Sequence, residues 1–211
     1  PAMYDDGELT EIQGDIGPVF WACQFQQEPE EPEGRFFKAQ WFRYWYEEDG
    51  DYVLESDSGN VRYSKAECYV VQTVDPALTE DRRNDYFCQA AWALCPGGEL
   101  VLLAVQREHI ETTEHIDEVV EFFDRWGASC ILISKRASGM NLYQELDSLG
   151  YALEEVVEDV SKLSRSLVIM RKYRRGLVFH RKDAAWLVDI ENELKSFPGG
   201  RHDDFVDNAS A

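Results

Sequence analysis

Four aspartates carry the first chemical signal in the sequence. Asp75 closes an apolar, β-branched run, Cys-Tyr-Val-Val-Gln-Thr-Val, and is followed at once by Pro76. A buried strand that ends in a carboxylate holds that group at a fixed point on a sheet edge, and fixed carboxylates are how a hard cation is held. An aspartate that opens a turn before proline leaves the same two letters, so Asp75 alone has two readings. Near the other end, Arg201-His202-Asp203-Asp204-Phe205-Val206-Asp207 follows the Pro198-Gly199-Gly200 break. On a helix starting there, Asp203 and Asp207 are four apart and Asp204 and Asp207 three apart, so one face carries a carboxylate cluster. Carboxylates this close repel one another unless a divalent ion or added protons neutralise them. Helix capping explains one of the adjacent pair well and the second poorly. His202 either touches a metal or a phosphate, or serves as a solvent-side or capping residue. An all-oxygen donor set suits Mg²⁺ or Mn²⁺, whereas zinc favours nitrogen and sulfur.

Composition bounds the protein that must position these groups. At 211 residues, 44% hydrophobic and 13% aromatic, the chain can bury one good core and suits one domain with an appendage. No apolar run has the length of a membrane helix, and no basic segment leads into an apolar one at the N-terminus, so the reading is a cytosolic protein. Cys23, Cys68, Cys88, Cys95 and Cys130 form an odd set without a CxxC and read as reduced thiols. The net charge of −20 would repel a phosphate backbone if it were evenly spread. Between Ser129 and Lys182, however, ten basic residues face six acidic ones, a local net of +4. That stretch is either a basic face for a polyanion or a solvated mixed-charge surface.

The elements that would hold the aspartates follow from periodicity. Up to about Lys65 the chain is rich in aromatics and interrupted by Pro29 and Pro32, which reads as an extended strap over 1–66 rather than a domain. From 67 to 211 a domain begins. Cys68 to Val74, Tyr86 to Leu94 and Glu99 to Gln106 read as strands, the last two joined by a tight Cys95-Pro96-Gly97-Gly98 turn. A helix follows over Ile116 to Trp126, with Thr112 or Thr113 as N-cap and Gly127 as its end. Cys130 to Ile133 is a short strand, and a helix runs from after Gly139 to Gly150. Beyond it come a strand from Tyr151, a helix near Lys162 to Tyr173, a strand at Leu177 to Phe179 and a helix from Asp183 to about Phe197. The order β-β-β-α-β-α-β-α predicts an α/β protein with a mixed sheet flanked by helices. No GxxxxGK[ST] phosphate loop occurs.

Several of these segments share a resemblance. VFWACQFQQEPEEPEGRFFKAQWFRYW resembles the connector that follows the ATPase domain in large terminases of tailed bacteriophages. VQTVDPALTEDRRNDYF looks like that family's first nuclease motif, and ILISKRASGMNLYQEL its second. VSKLSRS, ENELKSFPGG and HDDFVDNAS are similar, in order, to its basic helix start, its helix end and its terminal H-D-D-x-x-D. The resemblance runs from about Val19 to Ala211. It implies an RNase H-like nuclease domain in which Asp75 is the first metal ligand, Asp203 and Asp204 are the C-terminal ligands, and Asp207 supports or replaces one of them. The family's second acid falls on Ser134, which brings no charge and is a poor ligand for Mg²⁺.

The reaction implied is hydrolysis of concatemeric double-stranded DNA with two Mg²⁺ or Mn²⁺ ions bridged by Asp75, without a protein nucleophile. Lys135, Arg136, Lys162, Arg165, Arg171, Lys172, Arg174 and Arg175 become candidates for sequence-independent contact with the DNA backbone. The implied partners are an ATPase domain, a portal protein and a small terminase subunit, in a host cytoplasm. Two other readings fit the same residues: a weakened or silent domain that clamps DNA or contacts the motor, and another RNase H-like enzyme such as a junction resolvase or a transposase.

Overall fold

Strand β4 (Tyr69–Asp75) organises the sheet because both of its faces are covered. Gln72 and Val74 point to one face and Thr73 to the other, and all three are buried, as the period-two pleat requires. The computed structural model describes residues 36–56, 59–76, 86–135, 138–156, 162–200 and 202–211. Cys23 and Arg136 lie outside these, as do the first 35 residues of the strap. Residues Phe37–Ala211 make up one compact unit.

Nine strands form one mixed sheet in the order β3-β2-β1-β9-β6-β5-β4-β7-β8. β5 (Phe87–Leu94) and β6 (Leu100–Glu108) make the expected hairpin, with Leu94 opposite Leu100 and Gly98 at a φ of +89° in the turn. β4 pairs antiparallel with β5 and parallel with β7 (Cys130–Ser134), which in turn pairs parallel with β8 (Leu153–Val156). β9 (Val178–Arg181) runs parallel to β6 and to β1 (Arg43–Glu48). Residues 43–64, read from sequence as part of a strap, supply β1, β2 (Asp51–Leu54) and β3 (Val61–Ser64), an antiparallel meander continuing this sheet. The turn at Asp49-Gly50, both with positive φ, was the overlooked hairpin signal.

Helices cover both faces, as the element order predicts. α1 (His115–Trp126) and α2 (Ser138–Ser148) pack with Val74, Phe87, Ile131 and Ile133 on one face. α1 is not capped by a threonine: Thr112–Glu114 form a 3-10 turn, and the residue at the cap, Glu114, makes no side-chain cap bond. On the other face lie α3 (Lys162–Arg174), α4 (Leu187–Ser196) and α5 (Asp204–Ala209). There His180 is fully buried, its Nε2 sharing a hydrogen bond of 2.8 Å with Tyr173 Oη and its Nδ1 one of 3.1 Å with Glu191 Oε1. The four described cysteines are free thiols, with Cys68 and Cys95 Sγ 3.3 Å apart. No helix among the described residues is long and apolar enough to cross a membrane.

Candidate active site

The parallel pairing of β4 and β7 brings two sequence-predicted positions to one corner. The paired register ends at Val74 opposite Ile133, so the next step sets Asp75 beside Ser134 at neighbouring strand ends. Pleat alternation puts Asp75 on the face of Thr73, and Ser134 on the same face as Leu132, away from the buried Ile131 and Ile133. Both are partly exposed. Gly139, at the start of α2, packs so tightly beneath this corner that a Cβ there would meet the Ser134 carbonyl oxygen at 2.0 Å and Pro76 Cγ at 3.6 Å.

The short helix that carries the C-terminal aspartates, α5, is held by α4 at its start and by β4 and β5 at its far end. At its far end Asn208 accepts from Thr73 Oγ1 at 2.6 Å and donates to the carbonyls of Thr73 at 3.0 Å and Cys88 at 2.9 Å. At its start Glu193 Oε1 accepts from the amides of Phe205 at 2.8 Å and Val206 at 3.1 Å, while Oε2 accepts from Arg107 Nη1 at 2.5 Å. Phe205 also stacks on Trp92. Capping by aspartate therefore does not account for the Asp-Asp pair: Asp203 sits at the N-cap without a cap bond, and α4 supplies the cap instead.

Electrostatics ties these groups together. The Cys88 thiol is pushed up first by burial, then by the fields of Asp75, Glu193 and Asp204, with Arg107 acting the other way. Cys88 is opposite Asp75 in the ladder, so Asp75 and Asp204 act on one shared neighbour. Asp204 has a side chain only 17% exposed, and its Oδ2 is buried with no hydrogen-bond partner among the described residues; His202 Nδ1 is 3.9 Å away. Burial raises the Asp204 carboxyl, against the pull of Arg107 and His202. Burial likewise pushes Glu193 up to about 7, although the Val206 amide and Arg107 oppose it.

The four carboxylates are not one face. Lys162 Nζ bridges Asp203 Oδ2 and Asp207 Oδ2, at 2.5 Å each, and Arg165 Nη2 lies 3.9 Å from Asp207 Oδ1. Asp204 turns instead toward His202 and Arg107. Among the described residues no group of three or more His, Cys, Asp or Glu side chains is gathered closely enough to hold a metal ion. Asp204 keeps a buried carboxylate oxygen without a hydrogen bond among the described residues, and its field and that of Asp75 both reach Cys88.

The basic candidates divide. Lys162 and Arg165 are at the corner but engaged with α5. Lys135 pairs with Glu155 at 2.9 Å and lies 4.2 Å from the centre of the Tyr143 ring. Arg171, Lys172 and Arg174 end α3 and Arg175 follows it, where the chain continues into β9; β9 starts beside Leu100, opposite Leu94 and hence near Tyr69. They therefore lie at the other end of the sheet from Asp75, about 20 Å away along a seven-residue strand. Glu193, Asn208 and Arg107 were missed in the sequence. A glutamate between Ile190 and Leu194 on the apolar side of α4 was the available signal for the first.

Helices on both faces of a mixed sheet, with Asp75 and Ser134 at the ends of two neighbouring parallel strands, give an RNase H-like fold. The sequence matches no family model and no curated protein. The fold is that of large-terminase nuclease domains. The magnesium-bound large terminase nuclease of thermophilic phage G20c superposes with a TM-score of 0.60 at 14% identity, over 85% of this chain and 96% of that one. The nuclease domain of Thermus phage P74-26 large terminase gives 0.55 at 16% identity, over 80% and 87%. The ADP complex of the large terminase of thermophilic bacteriophage D6E gives 0.61 at 9% identity, with 98% of this chain covering 51% of that protein.

Proposed function

We propose that this chain is a divalent-metal-dependent endonuclease domain that cuts double-stranded DNA for a viral packaging motor in the host cytoplasm. The observation that carries the reading is the convergence of Asp75, Ser134 and the start of α5 on one face at one sheet end. G20c nuclease structures with bound magnesium and bound cobalt support it, as does a D6E large terminase that binds ADP. The D6E match also supports an ATPase partner, and the family pattern adds a portal protein and a small terminase subunit.

Asp75 and Asp204 would hold the ion. When bound, Mg²⁺ or Mn²⁺ would orient and acidify a water and offset negative charge on the scissile phosphate. The chain's own part is orientation. Glu193 ties the start of α5 to α4 and Asn208 ties its end to β4 and β5, which holds the Asp204 backbone in place. Ser134 leaves the third wall of the site uncharged, which weakens the hold on a hard cation. Lys162 and Lys135 lower the negative potential that DNA meets on approach.

A specific observation favours a second reading, a silent DNA clamp or motor-contact domain: Ser134 is neutral and Lys162 engages two of the aspartates. Mn²⁺ titration against supercoiled plasmid separates the two. Nicking or linearisation at millimolar Mn²⁺ that is lost in D75N supports the nuclease; intact DNA binding without any cutting supports the clamp.

A further inference from the structure

The aspartates of the corner differ in what already neutralises them. Asp203 and Asp207 face Lys162, whose ammonium is 2.5 Å from an oxygen of each, and Arg165 stands 3.9 Å from the remaining Asp207 oxygen. Two negative charges thus meet two positive ones. Lys162 is the first residue of α3, a helix anchored by the buried Ser166, Leu167, Ile169 and Tyr173, so the cation is carried on a fixed element. Asp204 differs. Its Oδ2 is buried without a hydrogen bond among the described residues, and the nearby Arg107 is already bonded to Glu193.

We propose that Lys162 is a resident cation that takes the place of a second divalent ion on Asp203 and Asp207, so that the chain binds a single divalent ion through Asp75 and Asp204. This assignment rests on the nuclease reading above and revises the two-ion expectation drawn from the sequence. A second divalent ion on Asp203 and Asp207 would have to displace an ammonium held by two charge-assisted hydrogen bonds. Ser134 works in the same direction. With an acid there, the Asp75 side of the corner would carry a third negative charge; with serine, two charges match one doubly charged ion. In the reaction, Lys162 would be a positioning residue, since it acts on the carboxylates rather than on the substrate.

The test counts ions directly. Free Mn²⁺ is followed by electron paramagnetic resonance while the 211-residue chain is titrated without DNA. The expected counts are one ion for the wild type, none for D75N or D204N, one for D203N and for D207N, and two for K162M. Two ions on the wild type, a single ion on K162M, or loss of the ion in D203N overturns the role given to Lys162. Lys162→Gln repeats the count with a polar side chain, should methionine disturb the start of α3. No bound ion on the wild type at millimolar Mn²⁺ removes the metal site itself and the nuclease reading with it, whereas a count of two removes only the assignment of Lys162.

Discussion

Two polar clusters lie on the same face of the sheet, and they are built to opposite rules. Around His180 the groups are satisfied: both ring nitrogens have partners, Tyr173 on one side and Glu191 on the other, inside a shell of Phe42, Tyr44 and Tyr173 rings. At the Asp75 corner two carboxylate oxygens are not. Asp204 Oδ2 and Asp207 Oδ1 are buried without hydrogen bonds among the described residues, and burial raises both carboxyls. A satisfied buried network costs little and fixes packing; unsatisfied acids cost stability and are kept where a cation can be bound. The first cluster belongs to the fold, and the second is where the proposed function puts the chemistry.

The contrast breaks most visibly at Asp75. D75N should reduce plasmid cleavage at least a hundredfold while its thermal midpoint stays within a few degrees of the wild type; cleavage at wild-type rate with Mn²⁺ would place the chemistry elsewhere. E193A strikes the join between corner and fold. It strips two amides and Arg107 of their acceptor and should cost about 3 kcal/mol in urea unfolding.

The same residue sets a pH dependence. Its folded pKa, about 7, stands above the ordinary 4.5, so the folded state holds this proton more tightly than the unfolded one. Metal-free stability contributed by Glu193 is therefore full below about pH 4.5 and is lost as pH rises through about 7. His115, lowered by burial, works in the opposite direction, so the check is the difference between wild type and E193Q across pH 5 to 8. That difference should shrink steadily toward acid, and a flat difference would refute it.

S134E adds the missing charge and should lower the Mn²⁺ needed for half-maximal cleavage roughly tenfold, about 1.4 kcal/mol of added affinity. Y173F is the smallest change and the control for the other cluster. It removes one hydrogen bond to His180 and should cost about 1 kcal/mol of stability, with cleavage per folded molecule unaltered.

The strands and helices from Tyr69 onward were legible because each rests on local pattern. Val70, Val71, Thr73 and Val74 announce a strand, and the Asp-Asp pair announces a carboxylate cluster. What was hidden depends on long-range contact. Lys162 meets Asp203 and Asp207 from about 40 positions away in the chain, so charge spacing along the sequence could not show that two aspartates of one helix were already occupied. Glu193 capping α5 and Asn208 gripping Thr73 are hidden for the same reason. The meander at 43–64 was obscured otherwise: its aromatics fill a core that the isolated segment does not reveal, Trp45 donating to the Leu102 carbonyl at 2.9 Å. The basic stretch misled because proximity in sequence merges two places, and α3 carries its first and last charges to opposite sheet ends.

The glycine beneath the strand end has a consequence for how this corner can change. Position 139 meets Ser134 at its backbone, so the peptide path there is set independently of the side chain that Ser134 projects. Gly139 thus fixes the backbone that carries residue 134 through the peptide rather than through that residue's side chain. On the nuclease reading, an acid at that one position would change the charge offered to a metal while this backbone contact stayed as it is.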